Sequence, residues 1–109
     1  MLSKLDIEHA SLGFAAIGSE ARLAVLKALV RAGNEGLTVG AIQERTGMAA
    51  STLAHHLRSL TAAGLVAQER EGRTTMNRAR FDRLEALARY ILEECCADAD
   101  ASRLEEETA

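Results

Sequence analysis

Two short helix-forming runs parted by a glycine turn, with a glycine-turned hairpin behind them, narrow the folds open to this chain more than anything else in it. Thr38 can cap a helix over Val39 to Thr46, with Ile42 facing inward, and Gly47 stops it. After a three-residue turn, Ala50 or Ser51 opens a second helix. In it Leu53, Leu57 and Leu60 fall at i, i+4 and i+7, one buried stripe. Gly64 then stands where a left-handed residue closes a helix. Leu65 to Arg70 reads as a strand, Glu71-Gly72 as a tight turn with Gly72 supplying positive φ, and Arg73 to Ala79 as the return strand.

Helices are predicted on both sides of this unit. Leu5, Leu12, Ala16 and Ile17 recur at helical spacing, so residues 4–17 read as a first helix broken by Gly18. Ser19 can cap a second, whose stripe runs Leu23, Leu26, Val30 with Val25 and Leu29 beside it, ending at Gly33-Asn34. So wide a stripe places that helix at the centre of the core. A last helix is predicted from Arg80 to Cys96, with Leu84, Leu87, Ala88, Ile91 and Leu92 as its apolar face. The chain has no proline, and its commonest residues favour helix. The expected fold is mostly α with a small β-hairpin wing, a winged helix-turn-helix. We expect one domain over residues 1–97 and a frayed acidic tail over 98–109. A 109-residue chain buries a modest core, and sharing an apolar face with a second copy would enlarge it.

A net charge of −3 looks wrong for a nucleic-acid binder, but the charge is unevenly placed. From Ser51 to Arg80 the bases Arg58, Arg70, Arg73, Arg78 and Arg80 face only Glu69 and Glu71. From Glu93 onward Glu94, Asp98, Asp100, Glu105, Glu106 and Glu107 face only Arg103. Phosphate responds to the local patch rather than to the sum. The sequence argues against an enzyme. It has no nucleophile–base pair at useful spacing, no glycine-rich phosphate loop and no metal-ligand trio. RNA binding lacks support, since Phe14, Phe81 and Tyr90 are the only aromatics and none is flanked by a basic sheet. The N-terminus mixes Lys4, Asp6 and Glu8 into its first turns, and no apolar run nears the roughly 20 residues of a membrane span. A cytoplasmic protein without a membrane partner is expected.

A recognition helix needs one face in the core and the other short and polar enough to enter a major groove about 12 Å wide. Here the inner face is Leu53, Leu57 and Leu60, and the outer face carries Ser51, Thr52, His55, Arg58 and Ser59, none acidic. Ser51, Thr52, His55 and Arg58 are the candidate groove contacts, with Arg70 and Arg73 of the hairpin reaching a phosphate or the minor groove. The plainer reading makes these the solvated faces of a helix and a hairpin tip. His55 lies on the groove side. His56 leans inward as a satisfied, half-buried histidine, and adjacent helical positions diverge by about 100°, which argues against a metal pair.

Residues 19–80 resemble the ArsR/SmtB group of bacterial repressors. The matching stretch runs from Thr46-Gly47-Met48-Ala49-Ala50-Ser51-Thr52-Leu53 through Ala54-His55-His56-Leu57-Arg58-Ser59-Leu60. It continues into Ala63-Gly64-Leu65-Val66 and Arg70-Glu71-Gly72-Arg73, and Ser19 to Leu26 matches as well. The resemblance implies a homodimer built by the first and last helices, with recognition helices in successive major grooves of an inverted-repeat operator on double-stranded DNA. The chain departs from the pattern at Ala49-Ala50, where many relatives carry Ser-Gln. Gln can read adenine with two hydrogen bonds, about 1–3 kcal/mol of discrimination, and Ala cannot.

The resemblance also implies an inducer that releases the DNA. The family's third-helix metal site needs cysteines where this chain has Leu37-Thr38-Val39-Gly40-Ala41-Ile42, and its last-helix site needs a histidine that Asp82 and Glu85 lack. Cys95-Cys96 remains. It resembles the vicinal pair of arsenite-responsive relatives, without the third cysteine that follows in them. Adjacent cysteines rarely bridge, so these read as free thiols in a reducing compartment. Soft thiolates suit trivalent arsenic or another thiophilic ion, and no cofactor is otherwise required. A third sulfur from the partner chain, an oxygen or an exogenous thiol would complete the site. Redox sensing by the same sulfurs, no sensing at all, and an interaction module that has lost DNA binding are the alternatives.

Overall fold

A side-chain oxygen that accepts a backbone N–H starts each of the first three helices of the computed structural model, which describes residues 5–99. Asp6 caps α1 (Ile7–Ile17) through His9 N–H at 2.9 Å, Ser19 caps α2 (Glu20–Ala32) through Arg22 N–H at 3.3 Å, and Thr38 caps α3 (Val39–Thr46) through Ala41 N–H at 3.1 Å. The N–H and ring of His9 hold the Asp6 carboxyl below the usual carboxylate range. Its support of α1 is therefore full above that range and fades as the pH falls through its lowered value. Gly18, Gly33 and Gly47 end the three helices, with a short 3₁₀ turn (Gly33–Glu35) between α2 and α3.

The recognition-helix candidate is α4 (Ala50–Ala62). It closes in a Schellman motif, with Leu65 N–H on Leu60 C=O and Gly64 N–H on Thr61 C=O, both at 3.0 Å, and Gly64 at φ +79°. The strands β1 (Val66–Glu71) and β2 (Thr74–Ala79) then pair antiparallel, from Val66 opposite Ala79 to Glu71 opposite Thr74. The loop is Gly72-Arg73, one residue later than the predicted Glu71-Gly72, so Arg73 sits in the turn itself. Gly72 supplies the positive φ, +66°. The last helix, α5, spans Phe81–Leu92.

The core lies where α2, α3 and α4 meet, around Val25, Leu29, Ile42, Leu53, Leu57 and Leu60. The predicted stripe of α2 is rotated, and that of α1 holds except at Leu12. In α2 the inward residues are Val25, Leu26, Ala28 and Leu29, while Leu23 and Val30 are more than two-fifths exposed, at 44% and 42%. In α1 the buried residues are Ala10 and Gly13, while Leu12 is open to solvent. In α1 the cause is close packing: a Cβ at Gly13 would sit 2.8 Å from a Leu87 methyl, so α1 presents a small residue to α5, while Leu5, Ala16 and Ile17 of the predicted stripe still pack half-buried against the core. α5 also ends four residues before the predicted Cys96, and Glu93 to Asp98 run in turns. Of its predicted face Leu87 is buried and Leu84 half-buried, but Ile91 and Leu92 are exposed. The tail expected at 98–109 lies outside the described residues from position 100 on.

Candidate nucleic-acid interface

The Leu53, Leu57 and Leu60 side chains anchor α4, all at most 2% exposed. That fixes the roll of the helix about its axis. Ser51, Thr52, His55 and Arg58 are all exposed, and Ser51, His55 and Arg58 fall at i, i+4 and i+7 on one outer face. Ser59 is half-buried instead, its hydroxyl donating to His55 C=O at 3.3 Å. His56 is half-buried as expected, but its Nδ1 has no hydrogen-bond partner among the described residues. The His55 and His56 ring centroids lie 5.8 Å apart and tilted by 53°, the divergence expected of neighbours on a helix.

The start of α4 differs from those of α1, α2 and α3. Ala49 occupies the cap position and offers no side-chain acceptor. The first N–H groups of α4 are therefore uncapped by protein, beside the exposed Ser51 and Thr52 hydroxyls. Exposed helix N-terminal donors with their partial positive charge favour an anion. Ala49-Ala50 therefore leaves the N-terminus of α4 without a side-chain cap.

The hairpin packs its first strand against α4 and anchors on the loop before α3. Leu37 and Asn77 exchange backbone hydrogen bonds, both 2.9 Å. Asn77, fully buried, adds an Nδ2–H bond to Leu37 C=O at 3.1 Å and accepts from Gln68 Nε2 at 2.7 Å. Sequence reasoning missed Asn77. A polar residue amid β-formers gave no periodic signal, and its partner lies forty positions upstream.

The charge balance of the wing also differs from the linear count. Arg78 bridges Glu69 at 3.0 Å and Glu71 at 2.9 Å, and its Nε–H donates to Asn34 C=O at 2.9 Å. These carboxylates hold the Arg78 guanidinium above its ordinary range. Arg80 pairs with Asp82 at 3.3 Å. Two of the five counted bases are thus engaged with acids. Arg58 and Arg73 are exposed without an ion pair among the described residues, and Arg70 curls its Nε–H onto Gly72 C=O at 3.3 Å, stiffening the tip. The geometry leaves the α4 face and the wing tip as the exposed polar and basic ends of one packed unit.

Cys95 and Cys96 stand apart from this face, after α5. Both are exposed, their Sγ atoms are 3.3 Å apart, and Cys96 holds φ +64°, a left-handed value costly for a residue with a Cβ. Hydrogen bonding with the Cys95 sulfur, and the repulsion of two thiolates so close, push the Cys96 thiol up. Among the described residues no group of three His, Cys, Asp or Glu side chains is placed to hold a metal. No described helix is long and apolar enough to cross a membrane.

The helix-turn-helix domain family matches residues 17–69. The uncharacterized HTH-type transcriptional regulator YceK of Bacillus subtilis is 31% identical over 80 residues, 73% of this chain and 79% of that protein. Among solved structures, an ArsR-like transcriptional regulator from Rhodococcus sp. RHA1 superposes with a TM-score of 0.72 at 28% identity, covering 93% of this chain and 92% of the other. The homodimeric winged helix-turn-helix DNA-binding domain of a possible ArsR-family regulator from Mycobacterium bovis superposes with a TM-score of 0.64 at 27% identity, covering 86% and 92%. The chain belongs to the helix-turn-helix family of transcriptional regulators, and it shares its winged fold with their ArsR-like members.

Proposed function

We propose that this regulator is a repressor that binds an inverted-repeat operator in double-stranded DNA as a homodimer. The observation that carries the reading is the orientation of α4. Three buried leucines hold its neutral-to-basic face and uncapped N-terminus outward, and the hairpin that packs on α4 through its first strand carries Arg70 and Arg73 at its exposed tip. In this reading α4 enters the major groove, Ser51, Thr52 and His55 meet base edges, and Arg58, Arg73 and the helix end meet phosphates. Dimerisation is supported by the apolar residues that α1 and α5 leave outside the core. Ile7, Leu12, Ile91 and Leu92 are each more than 60% exposed, more than a lone small domain usually leaves on two packed helices. The homodimeric Mycobacterium bovis relative supports it too.

Cys95 and Cys96 are the proposed effector site. Sulfurs 3.3 Å apart can both bond one thiophilic centre with little movement. With arsenite, two As–S bonds form as two As–OH bonds break, and the thiol protons leave as two waters. The third arsenic position keeps its hydroxyl or takes an added thiol. The site lies just past α5, so occupancy acts on the proposed dimer face rather than on α4.

The test is fluorescence anisotropy on a duplex from the protein's own upstream region, with and without arsenite, for wild type and the Cys95→Ser/Cys96→Ser variant. The expected result is tight binding by both proteins, released by arsenite in wild type alone. Binding indifferent to arsenite removes the effector assignment and keeps the DNA reader. Absence of salt-dependent binding removes the DNA reading and favours a winged-helix interaction module.

A further inference from the structure

We propose that the groove between α2 and α3 is an anion site that takes a phosphate group. Ala24, Lys27, Ala28 and Arg31 line one wall, and Arg45 and Thr46, from the last turn of α3, line the other. The α2 positions follow helical spacing, so they share one face. The methyl groups of Ala24 and Ala28 leave the floor low between long cationic side chains, and the hollow encloses about 690 Å³, open to solvent.

Three cations line this hollow, and no carboxylate does. The chain has more acids than bases, 16 against 13. Elsewhere bases meet acids: Arg78 holds Glu69 and Glu71, Arg80 holds Asp82, and Arg89 holds Glu85. Lys27, Arg31 and Arg45 make no ion pair or hydrogen bond among the described residues, although Glu20 lies a turn before Ala24 on α2 and Glu44 directly precedes Arg45 on α3. Arg31 and Arg45 sit in the last turns of α2 and α3, where each offsets a helix dipole. Lys27 lies before the last turn and has no such role. Like charges converging on a concave surface without counter-charge attract an anion. Two guanidinium forks and an ammonium match the several oxygens of a phosphate better than a single carboxylate.

The groove ends at the turn that leads into α4. The Thr46 hydroxyl donates to Ile42 C=O at 2.8 Å and accepts Met48 N–H at 3.3 Å, which ties the turn to α3. A bound phosphate therefore touches the segment that sets where α4 begins. It comes from one of two sources: a free small phosphate-bearing molecule, or the backbone of the duplex beyond the α4 and wing contacts. The second source rests on the DNA reading above, and the first does not.

The test titrates inorganic pyrophosphate into the full chain at constant ionic strength, read by ¹H–¹⁵N NMR. Wild type is compared with Lys27→Gln/Arg31→Gln/Arg45→Gln and with Arg45→Gln alone. For a free ligand, saturable amide shifts confined to Ala24–Arg31 and Arg45–Thr46 are expected, weakened at least tenfold in the triple variant. In parallel, the salt dependence of duplex binding is measured for the same proteins. If the phosphate is the duplex's, pyrophosphate gives no saturable shift, and the triple variant flattens the slope of log K against log salt by about 0.9 per lost contact. Saturable shifts that survive the triple substitution overturn the proposal. So does the absence of any saturable shift together with an unchanged slope. Should wild type bind no duplex, the DNA reading fails, and the pyrophosphate titration alone decides the groove.

Discussion

Ala49 is the residue where stability and the proposed function pull apart. As an N-cap it satisfies none of the first N–H groups of α4, whereas Asp6, Ser19 and Thr38 do so for their helices. Ala49→Asp should add about 1 kcal/mol to stability, since a capping oxygen then meets the free donors. The same carboxylate would stand where a phosphate is proposed to bind. Duplex affinity should therefore fall while the melting temperature rises, a combination that ordinary damage to the fold does not produce. Thermal denaturation and anisotropy on the same sample check it; a rise in both would place the phosphate elsewhere. The missing cap was not read from the sequence, where the departure at Ala49-Ala50 was weighed only as the loss of a base-reading Gln. Nor was the left-handed φ of Cys96, because nothing in its neighbours calls for such a residue.

Among the elements, the hairpin shows most clearly what a linear reading catches and what it drops. Gly72 and the flanking β-formers located the strands, but the turn came out one residue early. Either of two registers satisfies a glycine at positive φ, and only the pairing of Glu71 with Thr74 decides. The count of wing charges overlooked cross-strand neighbours: Arg78, on β2, lies within reach of Glu69 and Glu71 on β1. Arg78→Gln should free both carboxylates beside the proposed DNA face and weaken duplex binding several-fold. Adding Glu69→Gln and Glu71→Gln should restore most of the loss. Failure of that rescue, in proteins that melt alike, would mean that Arg78 matters for the shape of the hairpin through its bond to Asn34 and not for its charge. The α4 stripe was read correctly because three leucines at i, i+4 and i+7 admit one burial face. The α1 stripe was read correctly at Leu5, Ala16 and Ile17, which pack against the core, and missed at Leu12, because the close approach of Gly13 to Leu87 puts the small residues Ala10 and Gly13 inward.

At the scale of the whole molecule, the sequence disclosed the order of elements and the class of protein, and family likeness carried most of what was expected of its assembly. The exposed apolar residues of α1 and α5 give the proposed homodimer a physical argument within this chain. Leu12→Glu combined with Ile91→Glu should yield a folded monomer by sedimentation, with duplex affinity reduced at least a hundredfold, because each copy then engages a half-site alone. A dimer that survives both substitutions would place the interface elsewhere. The net charge of −3 had no bearing on the outcome, since the acids of the wing are held by arginine and the exposed end of the molecule keeps its unpaired bases.

The central claim is that this fold presents α4 and the wing to duplex DNA, and salt-dependent anisotropy addresses it most directly. Affinity for the upstream duplex and for a random duplex of equal length would be followed as a function of salt, with wild type and Arg58→Ala/Arg73→Ala. The account predicts a linear fall of log K with log salt for both duplexes and binding of the upstream duplex at least about 10³-fold tighter. It also predicts a shallower slope in the variant, by about 0.9 for each phosphate contact removed. Equal affinity for the two duplexes, or a slope that the double substitution leaves unchanged, would contradict it.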